Sequence, residues 1–158
     1  MIYKKFTIIS KKIMIGLMHI NKGDKNMKTL VYFSFSTNNC ERFVQRVKNE
    51  VGPHLKVREI NMVDPFMPVD NDYIIVIPAY EKNVFPELYE VLEDFFETED
   101  NIKNCKGIFS SGNRNFMDLF GVTAKYFAKK YNLHIEHNFE FQGTKNDINK
   151  MKEVLKNE

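Results

Sequence analysis

The sequence predicts an α/β domain with three layers, α/β/α, built on a five-stranded parallel sheet ordered 2-1-3-4-5. Three observations lead there. Short runs that are apolar throughout recur along the chain: T-L-V-Y-F-S from Thr29 to Ser34, Y-I-I-V-I from Tyr73 to Ile77, and G-I-F-S from Gly107 to Ser110. Strands with no polar face belong to parallel sheets covered by helices on both sides. Segments with apolar residues at helical spacing separate these runs, and such alternation implies parallel strands joined by right-handed crossovers. Finally, 158 residues with 43% hydrophobic content suit one domain with its own core.

Residues 1–26 differ from the rest. They hold six lysines and one aspartate, a formal charge of +5, against −3 for residues 27–158. Ile13 to Ile20 is their longest apolar run. It is too short to span a bilayer, and no small-residue cleavage site follows it. The expectation is a basic, poorly ordered extension, with Met27 as the natural first residue and a single domain over 27–158. An amphipathic segment lying on a membrane surface is the other reading.

The first strand, Thr29 to Ser34, runs into Phe35-Ser36-Thr37-Asn38-Asn39. A helix follows from Glu41 to Val51, with Phe43, Val44 and Val47 on one face and Arg42, Gln45, Arg46 and Lys48 outside. Hydroxyls and backbone N–H groups at such a helix start can hold a phosphate; Ser, Thr and Asn are also favoured there simply as caps. Gly52-Pro53 ends the helix, and Leu55 to Ile60 alternates as an edge strand should. Asn61 to Asp72, with Pro65 and Pro68, is a connector. Its three aspartates fit no metal-loop spacing. After the strand Tyr73 to Ile77 comes the loop from Ala79 to Phe85, then a helix opened by Pro86 and carrying Leu88, Val91, Leu92, Phe95 and Phe96. The fourth strand, Gly107 to Ser110, feeds Ser111-Gly112-Asn113-Arg114-Asn115, a turn flanked by Phe116 and Phe120. A helical pattern begins at Asp118 and takes in Leu119, Val122, Tyr126 and Phe127. A fifth strand, Leu133 to Phe141, and a last helix through Ile148, Met151 and Leu155 complete the chain.

Several functions are excluded. The mildly acidic body argues against nucleic acid. Cys40 and Cys105 lack metal or dithiol spacing, which leaves a reducing cytoplasm as the simplest location. No G-x-G-x-x-G and no Walker lysine occur. No Cys/His or Ser/His/Asp arrangement stands out, and the four histidines read as surface or structural.

Three loops, 34–39, 79–85 and 110–118, converge by topology at the carboxyl ends of strands one, three and four, where ligands of open α/β sheets bind. A phosphate at the first loop and a flat ring between the other two is the layout of a flavodoxin. The residues also match a family. The chain resembles the NrdI family, small flavodoxin-like activators of class Ib ribonucleotide reductase. The resemblance covers about 130 residues from Met27 onward. It rests on Ser111-Gly112-Asn113-Arg114-Asn115-Phe116 with Asp118 and Phe120-Gly121, and on Phe139-Glu140-Phe141-Gln142-Gly143-Thr144.

The resemblance implies non-covalent FMN. It also implies two partners, the dimanganese small subunit of the reductase and a flavin reductant. The implied cofactor-binding residues are Ser34, Ser36, Thr37, Asn38 and Asn39 at the phosphate; Ala79, Tyr80 and Asn83 beside the ring, with Tyr80 stacking; and Ser111, Gly112, Asn113, Asn115, Phe116, Phe120 and Gly121 at the pyrimidine edge. No catalytic side chain is implied. The chain departs from the family pattern in two places. Asn38 stands in the glycine position of the first loop with Cys40 in that of a threonine, and the second loop, usually glycine-rich, has no glycine. A general flavodoxin-like electron carrier, or a flavin-free interaction module on the same fold, are the other readings of the sequence.

Overall fold

The computed structural model describes residues 27–156; the expected basic extension lies outside them. Strands β1 (Thr29–Tyr32), β2 (Val57–Glu59), β3 (Tyr73–Pro78), β4 (Cys105–Gly112) and β5 (Ile135–Glu140) form one parallel sheet in the order β2-β1-β3-β4-β5. Helices α1 (Asn39–Val51), α2 (Pro86–Glu97), α3 (Asn101–Asn104), α4 (Val122–Tyr131) and α5 (Lys145–Lys156) connect or close it. None of these helices is long and apolar enough to cross a membrane.

The apolar strands divide their side chains between two cores. Val31, Phe33, Ile75, Ile77 and Ile108 meet Leu88, Leu92, Phe95 and Phe96 of α2 and Ala124 and Phe127 of α4. Leu30, Tyr32, Ile74, Val76, Phe109 and Phe139 face the other way, against Phe43, Val44 and Val47 of α1 and Ile148, Met151 and Leu155 of α5. Successive residues of a strand point to opposite faces, so a strand apolar throughout needs a helix layer on each side. The three layers follow from that.

The structure refines the expected boundaries, and four of the differences bear on the site and its support. β4 begins at Cys105 and continues to Gly112, because Ser111 and Gly112 pair with Phe139 and Glu140 of β5; two residues assigned to the turn are thus sheet residues. The helical pattern from Asp118 is in fact a 3-10 segment, Arg114–Leu119, interrupted by Met117 at φ 48, and α4 starts only at Val122. β5, Ile135–Glu140, is shorter at both ends than the strand expected from Leu133 to Phe141.

The fourth refinement is the short helix α3, which the sequence pattern did not predict. Its buried Asn101 ties down the connector before β3. Asn101 Oδ1 accepts from the Val69 N–H at 2.8 Å, its Nδ2 donates to the Met67 and Phe95 carbonyls, and its own carbonyl accepts from the Tyr73 hydroxyl at 2.8 Å. These contacts lie at the amino edge of the sheet. They leave the carboxyl edge, where β1, β3 and β4 end, to the loops.

Candidate functional site

The first loop is bent by two residues in the left-handed region, Ser36 at φ 63 and Asn38 at φ 55. Asn38 is the residue that replaces glycine in the family pattern, and asparagine is among the non-glycine residues that enter this region most readily. Asn38 is also the N-cap of α1, yet its side chain caps nothing. Ser34 does part of that work from the strand side: its Oγ accepts the Glu41 N–H at 3.0 Å. The N–H groups at the start of a helix lack intrahelical partners. Ser36, Thr37 and Asn38 are exposed and Asn39 is half-buried, and among the described residues no group takes their side chains. The loop therefore gathers polar side chains at the positive end of α1. Cys40, in the threonine position, is instead 1% exposed in the core beside Phe43, and burial pushes its thiol far above the ordinary range. It offers no thiolate and no hydroxyl.

The second loop is joined to the first by aromatic rings. Phe35, Tyr80 and Phe85 pack edge to face, with centroids 5.4 Å apart for Phe35 and Tyr80, 5.4 Å for Phe35 and Phe85, and 5.0 Å for Tyr80 and Phe85. All three are half-buried. Tyr80 was expected here. Phe35 and Phe85 were not, although both sit where a loop meets its neighbouring element. Ala79 is half-buried, its N–H donating to the Ser111 carbonyl at 2.7 Å. Asn83 is exposed, and no residue from 79 to 85 has positive φ.

In the third loop the structure separates residues that the motif had grouped together. Ser111 is buried, its hydroxyl donating to the Phe141 carbonyl at 2.6 Å. Gly112 sits where a side chain would be crowded. A Cβ there would stand 3.0 Å from the Phe120 ring and 3.3 Å from Ala79 Cβ. The close approach that this glycine permits is thus between the third and second loops. Asn113 closes the turn on itself, its Oδ1 accepting from the Asn115 N–H at 2.9 Å. Asn115 and Phe116 are exposed, Phe116 by 63%. Phe120 lies beneath the Arg114 guanidinium, 5.4 Å from its ring, and Arg114 Nε is 3.6 Å from Glu140 Oε2. Gly121, at φ 70, caps α4, and a Cβ on it would stand 2.7 Å from Asn138 Oδ1.

The motif F-E-F-Q-G-T occupies the end of β5 and the start of α5. Gly143, at φ 73, lies against the Phe43 ring, and Arg46 of α1 donates to the Gln142 and Gly143 carbonyls. The motif thereby fixes α1, whose first turn is the donor-rich loop. Thr144 and Asp147 cap α5 reciprocally: Asp147 Oδ2 accepts the Thr144 N–H at 2.6 Å and hydroxyl at 2.7 Å, while Oδ1 is 2.5 Å from His137 Nε2. Burial raises the Asp147 carboxyl, but His137 and the two Thr144 donors outweigh it and hold the group below its ordinary range.

The arrangement offers anion donors at one end, half-buried aromatic rings in the middle and backbone-lined turns at the other. Among the described residues there is no grouping of His, Cys, Asp and Glu that could hold a metal ion. The family described as NrdI flavodoxin-like matches residues 30–153. The chain is 36% identical over 135 residues to Protein NrdI of Mesoplasma florum, covering 80% of this chain and 83% of that one. It is 33% identical to Protein NrdI of Mycoplasma mycoides over 80% of this chain and 79% of the relative. Among solved structures, a short-chain flavodoxin associated with a non-canonical PDU bacterial microcompartment superposes with a TM-score of 0.56 at 16% identity, covering 81% of this chain and 93% of the other. Oxidised flavodoxin 2 from Bacillus cereus does so with a TM-score of 0.53 at 14% identity, covering 81% and 94%. At such identities these two structures speak for the fold alone.

Proposed function

The chain belongs to the NrdI family of flavodoxin-like proteins, and from that premise we propose that it binds FMN at the carboxyl edge of β1, β3 and β4 and serves the dimanganese subunit of a class Ib ribonucleotide reductase. The observation that carries the proposal is the start of α1. An N-cap whose side chain makes no capping bond and the exposed Ser36 and Thr37 hydroxyls, at the start of a helix, form a site suited to a phosphate monoester. FMN held there would supply the redox chemistry that links a reductant and oxygen to the partner.

The share of this chain is to bind, orient and tune. Ser36, Thr37 and Asn39 hold the phosphate through hydroxyl, amide and backbone donors. Tyr80, backed by Phe35 and Phe85, provides the ring wall. Backbone groups at Gly112 and Asn113 and the amide of Asn115 face the pyrimidine edge. Ser34, Phe120 and Gly121 act one step back, Ser34 by capping α1 and the other two by shaping the third loop.

Titrating the purified chain with FMN and with riboflavin tests the binding. FMN should bind clearly tighter, and equal affinities would remove the phosphate site. Radical formation in a class Ib small subunit, followed with and without the reduced chain, tests the partner. An electron carrier for another enzyme would bind FMN and fail this second assay.

A further inference from the structure

The tip of the second loop is fastened by two buried hydroxyls. The Tyr80 N–H donates to Thr123 Oγ1 at 3.0 Å, and the Tyr80 carbonyl accepts from the same hydroxyl at 3.1 Å and from the Tyr89 hydroxyl at 2.7 Å. Thr123 lies in the first turn of α4 and Tyr89 in α2, 0% and 1% exposed, so water does not compete for these bonds. The next carbonyl along, that of Glu81, accepts the N–H groups of Val84 at 3.1 Å and Phe85 at 3.0 Å. The peptide groups on both sides of Tyr80, and the one after them, are thus all committed to protein partners, in a loop with no glycine.

We infer that Thr123 and Tyr89 are positioning residues that clamp Tyr80 and hold the peptides on both sides of it in one backbone conformation, and that this clamp sets the separation of the two one-electron potentials of bound flavin. The second half rests on the proposed FMN site. When a flavin takes up one electron from a reductant and one proton from solvent, its N5 becomes an N–H donor. A loop carbonyl beside the ring can accept that hydrogen bond only if its peptide turns. Here the Tyr80 and Glu81 carbonyls each give up two hydrogen bonds to do so, which offsets what the new bond contributes. The first electron therefore gains little from the protein, and the two potentials stay close together.

Thr123→Val removes the hydroxyl at nearly constant shape, Thr123→Ser retains it, and Tyr89→Phe removes the second donor. On the flavin-free protein, backbone amide exchange should speed up at Tyr80 by about tenfold or more in Thr123→Val. It should keep the wild-type rate in Thr123→Ser, with the Ile75 amide of β3 unchanged in both as the control for global stability. With FMN bound, dithionite titration followed by absorbance should show a wider separation of the two potentials in Thr123→Val and Tyr89→Phe, and the wild-type separation in Thr123→Ser. An unprotected Tyr80 amide in the wild type, or one indifferent to Thr123→Val, overturns the clamp. Unchanged potentials in FMN-loaded variants overturn its effect on the flavin. A wild-type chain that binds no FMN removes the functional proposal and the flavin half together, while amide exchange still decides the clamp.

Discussion

Asn38 shows how a single residue decides whether the first loop can work. It holds φ 55 without a glycine and leaves its own side chain out of the cap, so α1 starts without a cap from Asn38 itself. Thr37 adds an exposed hydroxyl beside them. A hydrogen bond to a charged group contributes roughly 1.5–3 kcal/mol, so Thr37→Ala should raise the FMN Kd about tenfold or more and leave riboflavin binding nearly unchanged. Isothermal titration with both ligands checks this, and parallel losses count against the phosphate assignment. Gly121 is decided by sterics. At φ 70, with Asn138 Oδ1 2.7 Å from where a Cβ would stand, Gly121→Ala combines backbone strain with a clash. The expected cost is about 1–3 kcal/mol, measured by urea unfolding. Gly121→Ala combined with Asn138→Ala should recover the clash and not the strain. The sequence revealed the loop residues because their types are typical of turns. It could not reveal Asn138, Thr123 or Tyr89, whose own surroundings look like ordinary strand and helix and whose contacts arise only in the fold.

At the scale of elements, the alternation of apolar runs and helical faces was enough to place all five strands: burial on both sides leaves β1 and β3 apolar at their centres, whereas the edge strands β2 and β5 carry polar residues. What it missed depends on pairing and capping. β4 reaches Gly112 only because β5 lies beside it, and α3 exists to supply Asn101 to the connector. The cap of α5 leads to a pH prediction. The folded-state pKa of Asp147 is depressed, so its stabilisation is complete above the unfolded value of about 4 and is lost as pH falls through the lower folded value. Asp147→Ala should destabilise by about 1 kcal/mol at neutral pH, as cap removal does. Its thermal midpoint should converge on that of the wild type as the pH is taken below 4. A difference that stays constant down to pH 2 would show that the carboxylate charge plays no part.

For the molecule as a whole, the described residues form a five-stranded sheet with a core on each face, and the family match begins at residue 30. Removing residues 1–26 should therefore leave the thermal midpoint and FMN affinity unchanged. A fall of several degrees, which about 1 kcal/mol produces in a domain of this size, would show that the basic segment contributes to the fold. The strand order has a further consequence, in time. β1 lies beside β3, and the chain between them must first run out through α1 and β2 and back through the connector. No strand in the sheet pairs with a neighbour through a hairpin, so every pairing waits for a long loop to close, which makes such topologies slow to form. During synthesis β1 and β2 emerge with one side of β1 still unpaired, and that side stays open until Pro78 has left the ribosome. Over that interval the nascent chain exposes the same strand edge that the finished protein keeps at its centre.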